Sequence, residues 1–160
     1  MEVMFDYFEQ LNGTDILESN ARVKKFNRSS AVLDGTFNLK IPMDDSFKIK
    51  MDFYHSPKGN QQFNYYPLKL PLTGVCAYIK SAWKEYMSHL QSMIDNLPEV
   101  DECPFSPREV RFTNLLYPQE TVPEFAPTGL WKIYLTIQSD TGEGLCLLVL
   151  VKLYNGEFFG

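Results

Sequence analysis

The chain has 160 residues, a formal net charge of −5 and 44% apolar residues. That is enough for one substantial core and too apolar for default disorder. No basic run exceeds Lys24-Lys25, and the longest apolar run, 145–151, has seven residues, so neither a clustered basic footprint for nucleic acid nor a helical membrane span is expected.

Aromatic residues make up 14%, with twelve Phe and nine Tyr, a bias toward pleated, half-buried strands. Residues 2–8 read as a first short strand, and Asn12-Gly13-Thr14-Asp15 is turn chemistry. Residues 21–27 and 31–41 read as two strands joined near Arg28-Ser29-Ser30, with a bulge expected at Gly35. Phe37, Leu39 and Ile41 then share a face. The clearest alternation follows: Phe47, Ile49, Met51 and Phe53 point one way, and Lys48, Lys50, Asp52 and Tyr54 the other. Period two with charge on one side marks an antiparallel strand with one face in a core. After the turn at 56–60, residues 61–70 form the expected partner strand. Phe63 and Tyr65 lie on one face, and Pro67 and Pro71 limit the far end.

The period then changes. Val75, Ile79, Ala82, Tyr86, Leu90, Met93 and Leu97 step by threes and fours, which predicts one amphipathic helix over about 74–97, stopping before Pro98. Strands resume at 109–117. Pro118, Pro123 and Pro127 then restrain a loop. Trp131, Ile133, Leu135 and Ile137 alternate with Lys132, Tyr134, Thr136 and Gln138. A turn at Asp140-Thr141-Gly142 leads into 145–154, an apolar strand expected in a central position with both faces covered. The sum is a mainly β chain: a two-sheet antiparallel β-sandwich with one inserted helix, forming a single domain over 1–160.

Catalytic signals are weak. His55 and His89 have no second histidine or cysteine at ligand spacing, so zinc is not expected. Both read as solvated surface, as does the Asp44-Asp45 turn. The nucleophile elbow, the phosphate loop and the dinucleotide glycine fingerprint are all missing. A hydrolase is retained only as a formal alternative, and no cofactor is expected. Cys76 opens the predicted helix and Cys103 follows it. Their spacing fits either a bridge or two buried thiols. Cys146 sits in the apolar strand with no fourth cysteine to pair it. Asn12-Gly13-Thr14 and Asn27-Arg28-Ser29 are glycosylation sequons in predicted turns. Phe47, Phe53, Phe63, Tyr65 and Trp131 either line a cavity between the sheets or pack as an ordinary core.

Several short runs, taken in order and spacing, resemble a large insect family of secreted proteins that includes the chemosensory CheB proteins. They are Asn27-Arg28, Gly35-Thr36-Phe37, Phe53-Tyr54-His55-Ser56, Gly59-Asn60 with Gln62-Phe63, and Pro67-Leu68-Lys69-Leu70-Pro71. Val75-Cys76, Cys103-Pro104-Phe105 and Gly129-Leu130-Trp131-Lys132 complete the set. That family is similar to the ganglioside activator protein and the ML lipid-recognition superfamily. The resemblance spans about 5–152. It implies a β-sandwich enclosing an apolar pocket, a Cys76–Cys103 disulfide, secretion, and binding rather than catalysis, with pheromone or taste detection as the setting. Two departures stand out beside Cys146. Met1-Glu2-Val3-Met4-Phe5-Asp6 is acidic where a signal peptide is basic, which implies a start truncated or numbered from the mature protein. Ser106-Pro107-Arg108 lacks the glycine often found after Cys-Pro-Phe, so that loop is expected to differ.

The expected function is that of a secreted, non-catalytic carrier for a lipid or other apolar ligand, working with a chemosensory membrane receptor or channel. Its pocket walls would be Phe37, Leu39, Phe47, Ile49, Met51, Phe53, Phe63, Tyr65, Trp131, Ile133, Leu135 and Ile137, with glycans at Asn12 or Asn27. The alternative is an extracellular interaction module with a filled core that docks on such a receptor without a ligand cavity.

Overall fold

The computed structural model describes residues 1–155; the last five of the predicted domain lie outside the described residues. Ten strands, β1 (Glu2–Asn12), β2 (Leu17–Asn27), β3 (Ser30–Leu39), β4 (Phe47–Ser56), β5 (Asn64–Tyr66), β6 (Thr73–Gly74), β7 (Ile94–Asp95), β8 (Arg108–Leu115), β9 (Gly129–Ser139) and β10 (Gly144–Tyr154), form two antiparallel sheets. The larger runs β1-β10-β9-β4-β5, with β6 also on β4; the smaller runs β2-β3-β8-β7. One α-helix, α1 (Val75–Glu85), follows β6. The architecture is a two-sheet β-sandwich with one helix, as the alternation predicted.

Register explains which side chains meet. Ile49 lies opposite Ile137, Met51 opposite Leu135 and Phe53 opposite Ile133. Trp131 and Ile133 in turn face Val151 and Val149 on β10. Because side chains alternate across a strand, these residues all share the inner face of the larger sheet. The sheets meet through rings. Phe8 of β1 stacks on Phe37 of β3 with centroids 5.5 Å apart, and Phe37 meets Phe112 of β8 edge-on at 4.8 Å. β10 takes the central place expected of it, but only its inner side chains Leu145, Leu147, Val151 and Leu153 are fully buried. Leu148 and Leu150, on the other face, stay half-buried, so the second covering layer is missing.

The predicted helix over 74–97 is shorter than its periodicity suggested. It ends at Glu85, a 3₁₀ turn covers Met87–Leu90, and Ile94–Asp95 then joins the smaller sheet beside β8. Met87, Leu90 and Ile94 are all buried, which preserves the three-and-four spacing without a continuous helix. The chain has to turn back here. Trp83 Nε1 donates to the carbonyl of Pro98 at 3.0 Å, whereas an unbroken helix would hold the two residues about 22 Å apart along its axis. Cys76 and Cys103 are bonded, with Cα atoms 5.9 Å apart, and the same fold-back brings them together.

Asp44 and Asp45, expected as a solvated turn, have distinct duties. Asp44 Oδ1 accepts from the backbone N–H and hydroxyl of Ser46. Asp45 Oδ1 accepts from the N–H groups of Cys76 and Ala77 at 2.9 and 3.1 Å, satisfying helix donors that Gly74 at the N-cap cannot reach. A Cβ on Gly74 would lie 2.2 Å from that carboxylate oxygen, so the glycine makes room for a cap supplied from elsewhere in the chain.

Replacing Leu90 with Asp should bury a charge in the core and cost several kcal/mol in chemical denaturation. Removing the disulfide with Cys76→Ser and Cys103→Ser should cost roughly 3.6 kcal/mol, on the chain-entropy account of a loop this long. A denaturation midpoint unmoved by either change would mean that the helical segment is not docked.

Candidate functional site

The inner face of the larger sheet reaches one end of the sandwich where β8 gives way to the loop 116–128. Here a pocket of about 60 Å³ is lined by Phe53, Tyr66, Leu68, Trp131, Ile133, Val151 and Leu153 on the sheet side and by Tyr117, Val122, Pro123, Phe125 and Ala126 on the loop side, with Thr121 as a further polar group.

Trp131 and its neighbours anchor the loop. The indole Nε1 donates to the carbonyl of Pro127 at 3.0 Å. The ring lies against His55 at 4.5 Å and Tyr66 at 4.8 Å, and His55 Nε2 contacts the carbonyl of Thr128 at 2.8 Å. His55 is therefore half-buried and engaged rather than simply solvated. At the loop's other end Gln119 Nε2 donates to the carbonyl of Met1 at 2.6 Å, and Thr121 Oγ1 donates to that of Pro118 at 2.7 Å. Tyr117 packs edge-on against Phe5 with centroids 5.3 Å apart. Burial raises the Tyr117 phenol pKa, opposed by its hydrogen bond with Thr121. Burial also raises that of Tyr86, reinforced by Tyr78, whose hydroxyl lies 3.2 Å from that of Tyr86.

Of the wall residues predicted from sequence, Phe53, Trp131 and Ile133 line this pocket. Phe37, Leu39, Phe47, Ile49, Met51, Leu135 and Ile137 instead belong to the packed core or lie against it, because the inner faces of the two sheets meet along these strands. Phe63 and Tyr65 sit on the opposite face. Tyr65 pairs with Tyr54, whereas Tyr66 pairs with Phe53, so a one-residue difference in parity carries Tyr66 inward and Tyr65 outward. Lys132, on that outer face, rests its ammonium 4.4 Å from the Phe63 ring centroid. Tyr117 stands at the end of the strand expected over 109–117, which stops at Leu115, and Val122, Phe125 and Ala126 fall in the stretch expected only as a restrained loop. Val122, Phe125 and Ala126 between prolines were the available signal, since apolar residues in a loop need something to cover.

The sequons stand at exposed positions, Asn12 at the end of β1 and Asn27 at the β2–β3 turn. Cys146 is half-buried on the outer face and is not disulfide-bonded. Asp45, Cys76 and Cys103 lie close together, but the cysteines are spent on the disulfide and leave no thiolate for a metal. No protein-family model matches the chain, and no curated protein matches it.

Close to this end, Asp34 Oδ2 accepts from the backbone N–H of Asn114 at 3.1 Å and lies 3.4 Å from the Lys24 ammonium. The backbone hydrogen bond, helped by Lys24, lowers the Asp34 pKa. A depressed folded pKa gives stability that is present above the ordinary Asp value of about 3.9 and lost as pH falls through the lower folded value. The wild type should therefore lose more stability than Asp34→Asn between about pH 5 and pH 2, measured as denaturation midpoints across that range. Parallel curves for the two proteins would contradict the assignment.

Proposed function

We propose that the protein is a secreted, non-catalytic binding protein for a lipid or other apolar ligand, as the resemblance to the insect chemosensory family implies. The observation that carries this reading is the pocket between Trp131 and the 117–126 loop, whose lining is apolar apart from a few hydroxyls. Ligand sites typically combine an apolar wall with few polar groups, but at roughly 300–1,000 Å³. Uptake of an acyl chain would therefore displace the loop, whose Phe125 is 65% exposed and whose anchors are hydrogen bonds to Pro127, Thr128 and Met1. Each methylene moved out of water contributes about 0.8 kcal/mol, enough to offset such contacts within a few carbons. The disulfide supports an oxidising, extracellular setting, and a chemosensory membrane receptor or channel is the proposed partner. Among the described residues no helix is long and apolar enough to cross a membrane.

One observation favours a second reading. Phe47, Ile49 and Ile133 of β4 and β9 belong to the buried core, and the outer face gathers Tyr54, Phe63 and Tyr134 around Lys132, with Tyr65 edge-on to Tyr54. A protein-interaction module would use that face and leave the pocket closed.

Uptake of a fluorescent fatty acid by the purified protein, read together with quenching of Trp131, separates the two. The carrier reading expects saturable uptake. Ala126→Phe, which fills the pocket from the loop, should weaken it by at least about tenfold, or about 1.4 kcal/mol. Met51→Trp, away from the pocket, should instead lose about 1–3 kcal/mol of stability to overpacking. A wild type that takes up no fatty acid would sink the carrier reading.

A further inference from the structure

A second, larger cleft of about 600 Å³ opens between the β2–β3 turn and the chain leaving β8, and Phe26, Asn27, Asn114, Leu116 and Tyr154 are among the residues that line it. Its volume lies within the usual range for a bound small molecule. Two features mark it as more than a surface dent. Asn114 Oδ1 is buried and has no hydrogen-bond partner among the described residues, an arrangement that costs stability unless something bonds it. The bond from its backbone N–H to Asp34 Oδ2 holds Asn114 in place on its strand.

 Its φ of 49° lies in the left-handed region, which asparagine tolerates better than most residues with a side chain.

Asn27 supplies the second half of the argument. Its Oδ1 accepts from the backbone N–H of Ser29 at 2.9 Å, the Ser29 hydroxyl at 3.3 Å and the Ser30 hydroxyl at 2.9 Å. The carbonyl side of the amide is thus occupied by the turn, which leaves Nδ2, the atom that N-glycosylation modifies, as the outward group of the sequon Asn27-Arg28-Ser29. We propose that the first sugar of a glycan on Asn27 folds back into this cleft and hydrogen-bonds Asn114. This rests on the secretory placement proposed above, but not on the apolar pocket. A sugar hydroxyl both donates and accepts, so it satisfies the Asn114 amide. The apolar face of the ring has Phe26 and Leu116 to lie against, which are 58% and 47% exposed. Tethering at Asn27 makes the contact intramolecular and so raises its effective concentration. The modification draws on a lipid-pyrophosphate-linked oligosaccharide. The bond from Nδ2 to the anomeric carbon forms, the bond from that carbon to the pyrophosphate oxygen breaks, the pyrophosphate leaves with the electron pair, and the amide gives up one proton to the transferase.

The test uses the full chain, secreted from eukaryotic cells behind a leader, in an Asn12→Gln background so that intact mass reports Asn27 alone. The glycan is trimmed enzymatically to its first N-acetylglucosamine, and thermal midpoints are compared with and without Asn27→Gln, in the presence of Asn114 and of Asn114→Gly. The glycine removes the amide while keeping the left-handed backbone at no steric cost. The expected result is an occupied Asn27, a midpoint a few degrees higher with the single sugar, and loss of that increment in Asn114→Gly. An unoccupied Asn27 in secreted protein, or an increment of the same size in both backgrounds, would overturn the proposal. Failure to be secreted would overturn it together with the extracellular setting. Failure of fatty-acid uptake alone would leave it standing.

Discussion

The structure depends on apolar contact between the inner faces of its two sheets. Phe8, Phe37 and Phe112 carry that contact from β1 through β3 to β8, while Phe47, Ile49, Trp131, Ile133, Leu145, Leu147 and Val151 supply much of the larger sheet's buried surface. Each of these side chains points inward only because its strand holds register. A slip of one residue would exchange Ile49 for Lys50 and Trp131 for Lys132. Charge on the alternate positions of β4 therefore penalises the wrong pairing as well as solubilising the outer face.

The helical segment is attached at its two ends by different chemistry. At the start, Asp45 reaches the first N–H groups across the gap that Gly74 leaves. In the same first turn Cys76 is bonded to Cys103, and near the other end the bond from Trp83 to the carbonyl of Pro98 helps turn the chain back. These long-range ties account for the broken helix. Continuing to residue 97 would have satisfied the local apolar spacing, but it would have carried Pro98 and Cys103 away from the partners that hold them.

The pocket follows from the same packing. Where both sheets present inner faces, their side chains pack into one core cluster. At the end of the sandwich, one sheet is covered by a loop instead of strands, and a loop with prolines cannot fill space as closely as a pleated surface. Trp131 lies at this boundary: part of its ring belongs to the sheet's core, and its Nε1 holds the loop. Just beyond the residues that wall the pocket from the loop side, Pro127 and Thr128 are tied to the sheet through Trp131 and His55.

Alternation by itself determined the long strands β4 and β9, the two-sheet antiparallel class and the inward set on those two strands, because a period of two leaves one face that must be buried. It also marked Phe53, Trp131 and Ile133 as inward residues. The sequence could not place Tyr66 inside and Tyr65 outside, since that depends on which residue of β5 pairs with Phe53. Nor could it end the helix at Glu85, where contacts with residues distant in sequence outweigh local periodicity. Only the tertiary structure decided that Phe53, Trp131 and Ile133 line a pocket beneath the 117–126 loop while Phe47 and Ile49 lie in the packed core. How far opposed side chains fill a gap is a matter of packing geometry, and hydrophobic pattern specifies the faces that meet but not the volume left between them.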